Sequence, residues 1–165
     1  MKWKRAELDP EVYARLDVRP KERVLAWSDD GAGRPVVATE TALHLQRVPP
    51  DYARFGWEQI ERASYEAGTL TVVLGEALGG ATLRVPVGAE RQLPVVVRDR
   101  ITASVVVDRF VALSGDAGVR VVGRRGADGG VTWRIDLDAE LEGDPRAGAA
   151  SQEALAEVRA EVGEG

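Results

Sequence analysis

The sequence predicts a mainly β protein of the α+β class, in which antiparallel strands are accompanied by a few helices. Apolar and polar residues alternate with the strand period of two through much of the chain, and glycine-rich turns separate the alternating segments. Three segments instead carry proline near their start and apolar residues three or four positions apart. This spacing is typical of helices near the beginning, the middle and the end of the chain.

The first predicted elements are a short helix and three strands. A helix is expected at about residues 9–16, because the sequence Asp-Pro-Glu combines an N-cap residue with proline and an acid in the first turn. A strand at 23–28 follows, apolar on both faces, and residues 36–47 have the pattern of a hairpin. These strands are expected to begin an antiparallel sheet.

The only histidine of the chain, His44, lies in the second strand of that hairpin. Leu43 and Leu45 flank it and share the opposite face, so the pattern predicts His44 on the polar face of the strand. A catalytic or metal-binding imidazole needs a nucleophile, an orienting carboxylate or further ligands. The chain has no cysteine and no second histidine to supply them. We therefore predict no catalytic residue, no metal ligand and no cofactor.

Strands at 70–74 and 81–87 and a helix at 93–104 are predicted in the middle of the chain. Gly68 is placed to turn the chain before the first of these strands, because glycine readily adopts positive φ. Segment 93–104 has a proline near its start and repeats apolar residues every four positions, and both features favour a helix. Its three consecutive valines also suit a strand.

The last part of the chain is predicted as a three-stranded meander followed by a helix. Strands are expected at 105–113, 118–125 and 131–137, and an acidic helix at about 145–162. Residues 136–165 contain nine acidic residues and two arginines, whereas the whole chain has a net charge of −5. We interpret this acidic segment as a helix face in contact with water.

Length and composition lead us to expect one cytoplasmic domain spanning residues 1–165. The chain has 165 residues, within the range of one domain. It has neither a run of eighteen apolar residues, as a membrane-spanning helix needs, nor an apolar segment at its start. The absence of cysteine fits a reducing compartment.

Segment 49–57, PPDYARFGW, is the first candidate binding site. It places Tyr52, Arg54 and Phe55 close together in a predicted loop, and these residue types are common at protein–protein contacts. Phe55 is expected to fold back over the core as a lid, since clustered aromatic residues are rarely left in water. Tyr52 and Arg54 are expected at the loop tip, where they would contact a protein partner.

Three arginines of the meander form a second candidate site. Arg120 and Arg124 share one face of their strand, and Arg134 lies on the polar face of the next. Together they could bind a phosphate or a nucleic-acid backbone. Alternatively, they form an exposed sheet face with Asp136 as a cross-strand partner. Nucleic acid is the less favoured partner because the chain is acidic as a whole.

The order RVLAW, VVATETALHL, GWEQIERASYEAGTLTVVL, within residues 22–87, resembles the bacterial pleckstrin-homology-like (PH-like) domains. The later segments LPVVVRDRITASVVV, GVRVVGRR and TWRIDL are similar to uncharacterised actinobacterial proteins. The resemblance implies a barrel or sandwich of two nearly orthogonal antiparallel sheets, closed at one corner by a C-terminal helix, with 93–104 as an inserted helix. It also implies a packed Trp57.

The resemblance further implies a binding module and not an enzyme. Lipid-binding members carry basic residues around the first loop, but this chain has Asp29 and Asp30 there against Arg34. Adjacent carboxylates repel an inositol phosphate, so we expect no phosphoinositide binding. The function expected from the sequence is binding of a protein partner. Anion or nucleic-acid binding at the meander arginines is the alternative, and lipid binding is the third.

Overall fold

A computed structural model of the chain describes residues 7–29, 31–89 and 91–163. The described residues form three antiparallel sheets and three α-helices. They divide into two compact units, with the boundary between Thr102 and Ala103. The mainly β, antiparallel class predicted from the sequence is confirmed, while the single PH-like domain over 1–165 stays a prediction.

The first unit contains two sheets and two helices. Its elements in chain order are α1 (Pro10–Ala14), β1 (Val24–Asp29), β2 (Pro35–Thr39), β3 (Ala42–Val48), β4 (Asp51–Gly56), β5 (Ile60–Glu66), β6 (Thr69–Leu74), β7 (Thr82–Pro86) and α2 (Gln92–Ser104), whose last turn crosses the boundary. Sheet A has the strand order β1-β2-β3-β4, and sheet B has the order β5-β6-β7. The structure thus has three sheets in all, where two were expected, and the strands of the described residues do not close into a barrel.

Both helices of the first unit begin where the sequence predicts. In α1 the side chain of Asp9 accepts a hydrogen bond of 2.8 Å from the backbone N–H of Glu11, as the capping pattern requires. This helix ends at Ala14 and is shorter than predicted. Segment 93–104 is helical, so its valine run does not form a strand.

One hydrophobic core joins the two sheets and α2. Leu93, Val97 and Ile101 recur every four residues on α2, and all three are buried in this core. The inserted helix expected from the sequence therefore contributes to the core of the first unit. The strands supply most of the remaining core residues, among them Val36, Leu43, Leu45, Phe55, Ile60, Leu70, Val72 and Leu74, and Trp57, between β4 and β5, is also buried in this core.

The assignment of segment 49–57 to a loop is wrong. Pro49 and Pro50 form the turn between β3 and β4, with Val48 paired to Asp51 across it. The residues that follow are rich in aromatic side chains, which favour a strand, and they pair with β3 along its length. Within the described part of the chain seven strands therefore precede α2, and β4 is one that the sequence did not predict.

The second unit is a three-stranded meander with one helix. Its elements are β8 (Val105–Ser114), β9 (Ala117–Arg125), β10 (Val131–Leu137) and α3 (Pro145–Val162). The strands form sheet C in the order β10-β9-β8, and α3 contacts all three of them. The side chain of Asp144 caps α3 by accepting a hydrogen bond of 2.9 Å from the backbone N–H of Arg146. The predicted meander and final helix are confirmed.

The helices of the described segments were compared with what a membrane-spanning helix needs. None combines the length and the apolar composition that crossing a lipid bilayer requires.

Candidate functional site

The structure separates the three residues predicted in segment 49–57. They lie on β4, where successive side chains point to opposite faces of sheet A. Phe55 points into the core and is 7% exposed, whereas Tyr52 and Arg54 are half-buried on the other face. Phe55 is buried as expected, but as part of a strand and not as a loop lid. The three side chains therefore do not form one surface.

His44 is on the same outer face of sheet A as Arg54, opposite it in the β3–β4 register. The alternation of β3 is as predicted, but His44 is 0% exposed, so its assignment to an exposed polar strand face is wrong. The outer face is covered by the segment that precedes β1. Leu16 and Glu22 of that segment are buried, and Glu22 binds directly to residues of sheet A.

Glu22 is the centre of a buried polar network. Its carboxylate accepts hydrogen bonds from the Thr39 hydroxyl at 2.5 Å, the backbone N–H of Thr41 at 3.2 Å and that of Arg19 at 2.8 Å, and also from the Thr41 hydroxyl. Burial by itself raises the pKa of Glu22, but these hydrogen bonds outweigh burial and lower the pKa below its usual value. Arg54 joins the network by donating to the Thr41 hydroxyl at 2.9 Å.

His44 contacts this network through Thr39. Its Nε2 lies 3.3 Å from the Thr39 hydroxyl oxygen, and its Nδ1 is buried without a hydrogen-bond partner among the described residues. The pKa of His44 is lowered to about 4, mainly by burial and next by the positive charge of Arg54, against opposing contributions from Glu22 and Asp17. The imidazole is therefore neutral at pH 7.

The Thr39 hydroxyl is in contact with both the Glu22 carboxylate and the His44 imidazole, so three groups found in catalytic triads lie close together. The single hydroxyl hydrogen of Thr39 has Glu22 at 2.5 Å and the Ala42 carbonyl at 3.1 Å as its acceptors. Thr39 is also 0% exposed, so a substrate has no approach to its oxygen. The network holds the segment before β1 against sheet A and has no geometry for nucleophilic attack.

The structure brings the three meander arginines to one face of sheet C, as the strand pattern predicts. Each of them meets a polar partner. Arg120 binds Asp108 through two hydrogen bonds of 2.6 and 2.7 Å, Arg134 binds Asp136 at 2.5 Å, and Arg124 donates to the Ser104 hydroxyl at 2.9 Å. Asp136 also lies directly opposite Arg120 in the β9–β10 register, as the alternative interpretation proposed.

Asp108 also belongs to this face, and it was not identified from the sequence as a partner of the arginines. The hydrogen bonds from Arg120 lower its pKa, and the charges of Arg120, Arg124 and Arg134 add to the effect. Two carboxylates thus share the face with three guanidinium groups. The remaining charge is small, and the face is a weaker anion site than the arginines alone indicate.

A small basic groove lies in the first unit, between sheets A and B. It has a volume of about 290 Å³ and is lined by Arg34, Arg47 and Arg84, with apolar side chains from β2, β3 and β7, and none of the lining residues that the structure describes is acidic. The first-loop acid Asp29 does not line it. Its carboxylate instead accepts hydrogen bonds of 2.6 and 3.2 Å from the backbone N–H groups of residues 31 and 33. Asp30 lies outside the described residues.

A larger groove, which sequence reasoning missed, runs between β5 and α2. It has a volume of about 500 Å³ and opens to solvent. Its lining, more apolar than polar, comprises Ala63, Ser64, Tyr65, Leu70, Arg91, Pro94, Val95, Arg98 and Asp99. Val95 is 57% exposed although it is apolar. We name this feature the β5–α2 groove.

Comparison with known proteins finds no match for this chain to a family model, to a curated protein or to a solved structure. The proposals below are therefore based on the residues and their geometry.

Proposed function

We propose that the chain is a non-enzymatic protein-binding module, and that its first unit has a PH-like arrangement and binds an extended segment of a partner in the β5–α2 groove. The grouping of strands supports the PH-like arrangement. A four-stranded and a three-stranded antiparallel sheet are followed by α2, which packs into the core that both sheets share. Fold alone does not specify function, so the argument for binding comes from the groove.

The observation that carries the proposal is the position of an edge strand along this groove. β5 pairs with β6 on one side only within the described part of the chain. Ala63, Ser64 and Tyr65 are consecutive, so their side chains alternate between faces, yet all three line the groove. The groove therefore follows the edge of the strand, where backbone groups are available to an added strand.

The pairing of β5 with β6 indicates which backbone groups point into the groove. Ala67 and Gly68 form a two-residue turn with positive φ at both positions, so the flanking pair Glu66 and Thr69 is hydrogen-bonded. Hydrogen-bonded and non-hydrogen-bonded pairs alternate along an antiparallel ladder. The N–H and C=O groups of Ala63 and Tyr65 consequently point away from β6.

The walls of the groove suit a peptide with an apolar side chain. Ala63, Tyr65 and Leu70 line it from sheet B, and Pro94 and Val95 line it from α2. An exposed apolar residue such as Val95 gains free energy when a partner covers it. Arg91 and Arg98 add positive charge, and neither forms an ion pair with any residue that the structure describes. An extended segment with apolar and acidic residues complements this surface.

Selection from a library of random dodecapeptides displayed on phage tests the proposal. With the full chain as the immobilised target, the selection is expected to enrich peptides that pair with β5 through their backbone, as an added strand does. Ala63→Pro should abolish their binding, because proline removes an N–H that points into the groove and leaves the β6 ladder intact.

Arg84→Pro is the matched control. By the same alternation its N–H points away from β6 on the opposite edge of sheet B, beside Pro86, which already lacks an N–H. The proposal is wrong if no peptide is enriched, or if the two proline variants bind the enriched peptides equally well.

Anion binding is the second candidate function, and the basic groove of Arg34, Arg47 and Arg84 favours it over the meander. Among the described residues its lining contains no carboxylate, whereas the meander face contains two. Calorimetric titration with inorganic pyrophosphate should detect binding that Arg47→Ala weakens and Arg120→Ala leaves unchanged. The reverse result would assign anion binding to the meander.

A further inference from the structure

We infer that the β5–α2 groove selects an acidic partner segment of the form acid-x-apolar-x-acid, in extended conformation; this inference rests on the proposed strand addition. Arg91 and Arg98 are the two cations of the groove, and Pro94 and Val95 lie between them along the chain. Along the chain, Arg91 and the start of α2 therefore present a cation, an apolar patch and a second cation in order to the groove.

The spacing of these groups matches an extended strand. Arg91 immediately precedes α2 and Arg98 lies in its second turn, and both residues line the groove. At about 1.5 Å per residue, Gln92, which follows Arg91, and Arg98 are roughly 9 Å apart along the helix axis. Alternate side chains of a strand share one face, and positions i and i+4 are about 13 Å apart.

A strand with acids at i and i+4 can therefore present both carboxylates to the two guanidinium groups, because arginine side chains are long enough to span the difference. Position i+2 lies between the acids on the same face. An apolar side chain at position i+2 faces Pro94 and Val95. One face of the peptide can therefore complement both the two cations and the apolar patch between them.

Because of Asp99, the two ends of the groove differ in how strongly they attract an acidic residue. It lines the groove next to Arg98, so its carboxylate repels an acid bound at that end. Within the described residues, Arg91 has no acidic neighbour in the groove lining. We therefore expect the acid near Arg91 to contribute more to affinity than the acid near Arg98.

Fluorescence anisotropy with two labelled peptides tests this inference. The first is Gly-Ser-Glu-Thr-Val-Thr-Glu-Ser-Gly, and the second has glutamine in place of both glutamates. At low salt the glutamate peptide should bind roughly tenfold more tightly, and the difference should shrink at about 0.3 M salt, where exposed charges are screened. Both peptides should lose binding in Ala63→Pro.

Variants of the two arginines show which of them causes the difference in affinity between the two peptides. Arg91→Ala should remove most of the difference between the peptides, and Arg98→Ala a smaller part. Arg62→Ala is the matched control, because Arg62 is exposed on β5 but does not line the groove. Thermal melts of each variant check that it is folded.

The possible failures are distinguishable. If both peptides bind equally, and Ala63→Pro abolishes both, the groove accepts strands without selecting acids and this inference is wrong. If neither peptide binds, or if Ala63→Pro has no effect, the proposed strand addition itself is wrong. A larger loss in Arg98→Ala than in Arg91→Ala would overturn the assigned polarity.

Discussion

The stability of the protein should fall between pH 7.5 and pH 5 because of His44. The side chain is fully buried, and its pKa is lowered from 6.5 to about 4, mainly by burial. In the unfolded chain the imidazole regains a pKa near 6.5, so the unfolded state binds a proton that the folded state does not. Stability is fully present above pH 6.5 and is lost as the pH falls toward 4.

The magnitude follows from the difference between the two pKa values. With 6.5 in the unfolded state and about 4 in the folded state, the free energy of unfolding should be about 2 kcal/mol lower at pH 5 than at pH 7.5. Glu22, whose pKa is lowered from 4.5, contributes in the same direction only at still lower pH. The interval between pH 7.5 and pH 5 therefore isolates the histidine.

Urea denaturation of the wild type and of His44→Gln across this interval measures the effect. Glutamine has no titrating group, so the difference in unfolding free energy between the two proteins should narrow or change sign as the pH falls. Because His44 is the only histidine, its ring proton signals in NMR spectra also report its pKa directly. Parallel stability curves, or a folded-state pKa near 6.5, would refute the reasoning.

Three further predictions concern the core, the polar network and membranes. Phe55→Ala should lower the unfolding free energy by about 3–5 kcal/mol, because a buried ring is lost, and Tyr52→Ala should cost clearly less in the same urea melts. Glu22→Ala should cost about 1–3 kcal/mol because it leaves buried donors unpaired; a neutral result would mean that the network contributes nothing to stability. Liposomes carrying phosphoinositides should not pellet the protein at about 0.15 M salt. Co-sedimentation would favour a lipid-binding module.

The sequence predicted the local elements well because their signals are local. Asp9 and Asp144 cap their helices through hydrogen bonds to backbone groups two residues away. Gly68 turns the chain with φ of 78°, as expected of a residue without a side chain. The exception was β4, where two prolines suggested a loop although they occupy only the turn before the strand.

The candidate site was largely missed because it joins distant parts of the chain. β5 and α2 are separated by more than twenty residues, and neither carries a sequence motif that indicates a groove. The pairing of Arg120 with Asp108 likewise depends on the register of β8 against β9. A pattern of alternation shows which residues share a face, but it does not show which residue of another strand lies beside them.

His44 separates what the sequence determined from what only the tertiary structure decided. The period of two correctly placed it on the face opposite Leu43, because the side-chain direction in a strand is a property of the local backbone. Whether that face meets water depends on what covers it. Here the segment containing Leu16 and Glu22 lies over sheet A, so a residue with a polar-face pattern is completely buried and its pKa is lowered. Burial results from contacts between segments distant in sequence, and the alternation within one strand carries no record of them.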